Sequence, residues 1–362
     1  PIAVSNAAAA SRMAIGEALT NLVSVDVNLD RIILSANWMG ACGVKGQDAA
    51  LYDGVSAASS FCQELGVSIP VGKDSLSMKT SWKDQAGEDK TVVSPVSLVV
   101  SAAAPVYDIR NNLLPMFAES VRDSSLLLID LGHGKDRLGG SVYSQVTQRF
   151  DSVTPDMEDP KELKKFLELI RSLSAKGAIL AYHDRSDGGL AAALCEMMFA
   201  SHVGVEIVAD ALVSKDRTLN QALFNEELGA VIQVARGRAA EVERDFEAAG
   251  MGWSLKYLGN LTQDDHLNIY LEGKCVLSED RVDLQKAWNE VSWQIARMRD
   301  NPECADSEYE LISDKHNGGL VLTMGFDPEE NLAAPFINTG VRPKVAILRE
   351  PVSYTHLRAH ET

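Results

Sequence analysis

What most limits the architecture open to this chain is a repeated local pattern: a short apolar run, a polar turn containing glycine, then a segment of helical periodicity. The stretch AYHDRSDGGLAAALCEM, Ala181 to Met197, shows it most plainly. Its apolar run stops on His183-Asp184, passes through Arg185, Ser186 and Asp187, and enters the helical part through Gly188-Gly189. Chains that alternate in this way fold as α/β or α+β layers, because each strand and helix must bury its apolar side against another element. The 362 residues are enough for two domains and a large core.

The first half reads as an αβαββ run. SRMAIGEALTNLVSV is a helix with Ile15, Ala18, Leu19, Leu22 and Val23 on one face, and Ser11 is placed to cap it. RIILSANWM is a buried strand. QDAALYDGVSAASSFCQELG is a helix that ends at Gly66. VSIPVG is a short strand leading into a loop, KDSLSM, and SPVSLVVSAAA is a further strand. A second unit starts near Ser124 with the buried strand SLLLIDLG, followed by a helix in GGSVYSQVTQRF and an amphipathic helix, DPKELKKFLELIRSLSAKG, with Pro160 in its first turn. GVEIVAD, GAVIQVA and KYLGNLT are strands, and GRAAEVERDFEAAG is a helix between the last two. A helix carrying Trp288 and Trp293 runs from Leu284 to Asp300, residues 301–335 are polar and irregular, and PKVAIL is a fresh buried strand.

Charge excludes some functions. Acidic residues number 51 against 34 basic ones, a net charge of −17, which disfavours a broad nucleic-acid surface. A local anion site made of backbone N–H groups stays open. The five cysteines, Cys42, Cys62, Cys195, Cys275 and Cys304, are scattered without a CxxC pair, as reduced thiols in a cytoplasmic protein would be. The longest apolar stretch, around SPVSLVVSAAAPV, is too short and too interrupted to span a membrane, and no signal peptide is evident.

Three stretches could carry chemistry. In the Asp184 turn, a strand end and a helix N-terminus leave N–H groups and a positive dipole end that suit phosphate. Gly188 and Gly189 would allow close approach of the backbone, Ser186 could donate a hydroxyl and Asp184 could hold a metal. Capping of the helix by Ser186 or Asp187 is the commoner use of such a turn. Glu17 and Asn21, four apart, share a helix face with hard oxygen donors suited to Mg2+, although a solvated polar face looks the same in sequence. Lys73, in GVSIPVGKDSLSMKT, could meet a phosphate or sit in an ordinary turn, and the segment is not a P-loop. Asn225, Glu226 and Glu227 stand at a turn where capping explains them equally well, and His183 suits a structural hydrogen bond.

Taken together, RMAIGEALTN, LSANWM, DAALYDGV, IPVGKDSLSMKT, AYHDRSDGGL, LFNEELGAVIQV, RDNPECADSE and RPKVAILRE resemble the large, single-chain phosphoribosylformylglycinamidine synthases of purine biosynthesis, over nearly the whole chain to Glu350. The resemblance implies an α/β (α+β) fold: the tandem two-domain unit of the aminoimidazole ribonucleotide synthetase-like superfamily, here truncated at both ends. It places the C-terminal part of an N-terminal-type synthetase domain at 1–110, a C-terminal-type synthetase domain at 122–265, a linker at 280–342, and the first strand of a glutaminase domain at 343–350. Residues 351–362 read as an artefactual tail. The family joins formylglycinamide ribonucleotide, glutamine and ATP to give the amidine, with charge stabilisation around a transferring phosphoryl group. By the same resemblance Glu17, Asn21 and Asp184 match magnesium ligands and Ser186 matches a nucleotide contact, so Mg2+ and ATP or ADP are the implied cofactors.

The implied partners are small-molecule substrates, plus the first synthetase repeat and the glutaminase domain of the same parent chain; neither nucleic acid nor membrane is among them. The sequence departs from the family in lacking the glycine-rich ATP segment of the first repeat, a further metal-binding aspartate upstream of residue 1, and the glutaminase nucleophile. These departures lead to the expectation of a cytoplasmic ligase fragment that carries an auxiliary Mg–nucleotide site and is inactive alone. Two alternatives stay open: a nucleotide-binding structural module, and a stand-alone enzyme resembling aminoimidazole ribonucleotide synthetase.

Overall fold

The computed structural model describes residues 1–315, 317, 319–327, 329–337, 339, 340 and 344. The expected strand at 343–350, Lys344 apart, and the tail at 351–362 lie outside the described residues. The chain divides into two compact units, Pro1–Lys315 and His316–Thr362.

The first unit opens with α1 (Ile2–Ser5), α2 (Ala7–Leu22), β1 (Ile33–Met39), α3 (Gln47–Leu65), β2 (Ser68–Ser75), β3 (Lys79–Lys83), β4 (Asp89–Val93) and β5 (Ser97–Ala103). β1 is the middle strand of a three-stranded sheet, parallel to β2 and antiparallel to β5. Its burial alternates, as one covered face requires: Leu34, Ala36 and Trp38 point into the core beneath α2 and α3. β3 and β4 form a separate hairpin.

The rest of the unit contains β6 (Ser124–Asp130), α4 (Val142–Val146), α5 (Pro160–Ala175), β7 (Ala181–Asp184), α6 (Gly189–Ser201), β8 (Gly204–Val208), α7 (Leu219–Phe224), β9 (Gly229–Ala235), α8 (Ala239–Ala248), β10 (Leu255–Thr262), β11 (His266–Leu271), β12 (Lys274–Asp280), α9 (Arg281–Arg299) and α10 (Pro302–Leu311). Seven strands form a mixed sheet in the order β12-β11-β8-β10-β6-β9-β7. Both of its faces are covered, which is why β6 is apolar throughout its middle. Leu127 and Ile129 join the core shared with α2, α3 and α5, while Leu126 and Leu128 join a second core with α6. β7 is a four-residue edge strand paired to β9, and the Tyr182 N–H donates to the Leu114 carbonyl at 2.9 Å.

The two halves of the unit are locked together along α2. Gly16 lies so close to Leu228 that a Cβ there would stand 2.2 Å from a leucine methyl. The Tyr182 hydroxyl donates to the Thr20 carbonyl at 2.6 Å, and Arg12 forks onto Asp156 at 2.6 and 2.7 Å.

Several local expectations are corrected. Asn6, not Ser11, caps α2, accepting from the Ala9 N–H at 2.9 Å; Ser11 lies inside the helix and bonds the Ala7 carbonyl. KDS is strand rather than loop, since Asn37, Trp38 and Met39 of β1 supply ladder partners for Lys73, Asp74 and Ser75. The helix in GGSVYSQVTQRF is only Val142–Val146. The stretch expected to be irregular from 301 opens instead with a helix, α10. Arg281 is fully buried on Asp265, Trp288 packs beside Phe199, and Asn301 caps α10, whose Tyr309 stacks on Trp293 at 4.2 Å. In the second unit, the described residues form turns, bends and irregular chain apart from a short helix, α11 (Ala334–Ile337). No helix among the described residues is long and apolar enough to cross a membrane.

Candidate functional site

α2 and the turn after β7 face one another across a cleft of about 520 Å3, whose third wall is β5 through Leu98, Val100 and Ala102. The two sequence candidates 163 residues apart meet here: the Asn21 amide donates to Asp184 Oδ1 at 3.4 Å. Glu17 and Ser186 line the same cleft. A larger groove of about 660 Å3 runs between α2 and α3, but alanine and serine dominate its walls and it holds none of the four candidates.

The apolar spacing of α2 explains how it presents Glu17 and Asn21. Ile15, Leu19 and Val23 are buried, which turns residues 17 and 21 outward onto the cleft side. As a residue Glu17 is exposed on the helix surface, yet its carboxyl group is pushed up to about 7, first by burial against the cleft wall and then by Asp187, Asp184 and Glu226. Asp184 is buried and also raised: desolvation outweighs the favourable influence of His183, its own backbone N–H and Asn21. Two carboxyl groups are thus held in a place that disfavours their charge, which a bound cation would reverse.

His183 fixes the backbone of this turn. Its Nε2 meets Glu196 at 2.9 Å and its Nδ1 meets the Asp184 carbonyl at 2.7 Å. Burial pulls the imidazole down, but Glu196 and Asp184 prevail and its proton affinity is raised. Below the turn, Arg185 is fully buried. Its Nη2 donates to Asp130 at 2.6 Å and its Nε to the Glu227 carbonyl at 2.6 Å, while Nη1 has no hydrogen-bond partner among the described residues. Desolvation opposes the charge of Asp130, yet Arg185 and Arg217 hold its carboxyl below the usual range. Arg137 forks onto Glu227, and Arg217 pairs with Asp136, which also accepts from Asn225 at 3.1 Å. This buried ionic layer supports the turn.

Of the uses expected for the helix N-terminus, capping by Ser186 or Asp187 is not what the structure shows. Ser186 and Asp187 do not cap α6; its N-cap is Gly188, without a side-chain bond of its own. Instead Glu226 Oε1 accepts from the Gly188 N–H at 2.9 Å and from the Val142 N–H at 2.8 Å. Gly189, at φ +69°, is needed for close packing of protein on protein: a Cβ would stand 2.5 Å from the Asn225 carbonyl. Lys73 stays outside the cleft. It lies exposed on β2, the edge strand away from β5, with Nζ on Ser75 at 2.9 Å.

The donors at the cleft are a carboxylate, an amide and a second carboxylate, all hard groups that fit Mg2+. Asn21 turns its amide nitrogen toward Asp184, and a flip about its last bond presents the oxygen instead. Among the described residues no three His, Cys, Asp or Glu side chains cluster to hold a metal unaided. A cation here would therefore complete its shell with Asn21 and with ligand or water oxygens, as Mg2+ does. Sequence reasoning noted Glu226 only as a turn residue that capping could explain, and it missed Arg185 as a buried anchor together with the layer beneath it. The only signal was Asp130, a carboxylate at the end of an otherwise apolar strand.

Residues 1–105 match the FGAR-AT PurM_N-like domain family, and residues 124–272 match the C-terminal domain of AIR synthase related proteins. The fold is similar to T. maritima PurL complexed with ATP, at 11% identity and TM-score 0.52 over 75% of this chain and 40% of that one. It is similar to T. maritima PurL complexed with FGAR at 12% identity and TM-score 0.53, over 77% and 44%. HypE in a HypE–HypF complex matches at 19% identity and TM-score 0.54, over 75% of this chain and 84% of that one. The chain thus has the two-domain AIR synthase-like fold, in a mixed α/β arrangement, and spans about two fifths of the PurL chains' length.

Proposed function

We propose that this chain is the later part of the second synthetase repeat of a large, single-chain phosphoribosylformylglycinamidine synthase, an ATP- and glutamine-dependent C–N ligase. In this reading Glu17, Asn21 and Asp184 hold Mg2+, Ser186 contacts a phosphate of ATP or ADP, and the site is auxiliary to the turnover of formylglycinamide ribonucleotide. The observation that supports the reading is the match of residues 1–105 to the FGAR-AT PurM_N-like domain, within which α2 brings Glu17 and Asn21 to the cleft opposite Asp184. When bound, Mg2+ neutralises phosphate charge and orients it. The chain's own part is to present three oxygen donors from two elements and to keep Asp184 in place through His183 and the buried arginine layer.

Titration calorimetry of wild type and Asp184→Asn with Mg-ADP tests the site. Loss of a partner outside the coordination shell typically weakens metal sites by about 10–100-fold, and loss of a ligand should do at least as much. Binding by wild type with a loss of that size in the variant is expected, whereas equal binding by both forms overturns the assignment. A second reading, a stand-alone synthetase of the same fold, draws on the 84% coverage of HypE. ATP hydrolysis by this chain alone favours the second reading, and its absence alongside Mg-ADP binding favours the first.

A further inference from the structure

The N-terminus of α6 looks in sequence like a phosphate cradle, yet it already holds an anion. Glu226 is 8% exposed, and its Oε1 accepts from two backbone N–H groups, Gly188 at the start of α6 and Val142 at the start of α4. Gly188 is two residues after Ser186 and four after Asp184, so this carboxylate reaches the far end of the turn that carries both. Its neighbours in the chain are committed elsewhere: Asn225 to Asp136, and Glu227 to Arg137. The near end of the turn is held by His183 and by Arg185. Glu226 therefore supplies the second anchor, and it leaves the positive end of α6 no free Gly188 N–H for a ligand phosphate.

We propose that Glu226 is a positioning residue: an internal carboxylate occupies the N-terminus of α6, fixes the turn from Asp184 to Gly188, and thereby sets Asp184 and Ser186 at the cleft. The inference rests on the reading of that cleft as a metal–nucleotide site. Phosphate then meets this wall through the metal and the Ser186 hydroxyl rather than through the helix terminus.

The test uses the whole chain, with two readouts. Amide exchange over residues 184–190 is followed in wild type, Glu226→Gln, which keeps an acceptor oxygen, and Glu226→Ala, which does not. Mg-ADP affinity is measured on the same proteins by calorimetry. Losing a hydrogen bond to a charged group should speed exchange of the Gly188 amide by about tenfold or more in the alanine variant. Mg-ADP affinity should fall by about tenfold with it, and Gln should restore both. Should alanine fail to fold, Glu226→Asp, which withdraws the charge by one methylene, is expected to free the same amide. Unchanged protection of Gly188 in the Ala or Asp variant overturns the proposal, as does a loosened turn with undiminished Mg-ADP affinity. If wild type binds no Mg-ADP, the metal–nucleotide reading falls by itself, and exchange alone decides whether Glu226 holds the turn.

Discussion

The two walls of the cleft are built in opposite ways. On the α2 wall, Glu17 and Asn21 stand on a 16-residue helix, and their direction follows from the burial of Ile15 and Leu19 on the same helix and of Val23 at its C-cap. On the β7 wall, Asp184 and Ser186 lie in a turn held by Asp130, Glu226, Glu227 and Leu228, through bonds that span 38 or more positions in the chain. The first wall is local and tolerant. The second is assembled from buried charges and close backbone packing, so it is exact in geometry and easy to damage.

Substitutions that separate these walls follow in order of expected effect. Arg185→Met leaves Asp130 as a buried charge without its main partner, and breaking such a pair typically costs about 3–5 kcal/mol. Urea unfolding would show this as a large fall in midpoint; a loss below about 1 kcal/mol would put the turn on the same footing as the helix. Gly189→Ala forces a Cβ against the Asn225 carbonyl at a positive φ, with an expected cost of about 1–3 kcal/mol by the same measurement. On the other wall, Asn6→Ala removes the cap of α2 for about 1 kcal/mol. Glu17→Ala, exposed on the helix, should leave stability within about 0.5 kcal/mol while weakening Mg-ADP binding. A thermal shift as large as that of Arg185→Met would remove the contrast.

A small, pH-dependent effect is expected at the far end of α6, where His202 sits in the left-handed region at φ 54°. Burial, and then Arg281, hold its imidazole below the usual range, against opposing pulls from Asp265 and Glu119. The folded state therefore prefers neutral His202: its contribution is present above the ordinary histidine value and is lost as pH falls through the lower folded one. His202→Asn, which keeps the left-handed conformation, should flatten the thermal midpoint between pH 7 and 5 by under about 1 kcal/mol, because solvent screens the group. An unchanged pH profile would assign the acid side to other groups.

How much of this was legible depends on the range over which each feature is decided. The face of α2 that carries Glu17 and Asn21 was readable, since 3.6-residue periodicity is written into one segment. So was the apolar run of β6, although sequence does not say that its alternate residues serve two different cores. The extension of β2 through Lys73-Asp74-Ser75 was not readable: its polar residues are strand only because β1 offers a ladder. Nor was the role of Glu226. Capping was one explanation for a glutamate at this turn, but nothing within its neighbourhood in the chain reports two N–H groups 38 and 84 residues away. Arg185 misleads in the same way, as an arginine in a polar loop that turns out to be wholly buried.

Consider, finally, the position of β7 at the rim of its sheet. A rim strand exposes unpaired backbone groups and is where separate molecules most readily join edge to edge. Here that rim is four residues long, and the Tyr182 N–H is already engaged by the Leu114 carbonyl. The connector between the two halves thus guards the strand that ends on Asp184. Loosening Leu114 is therefore expected to show itself first as concentration-dependent self-association, before any change in the cleft.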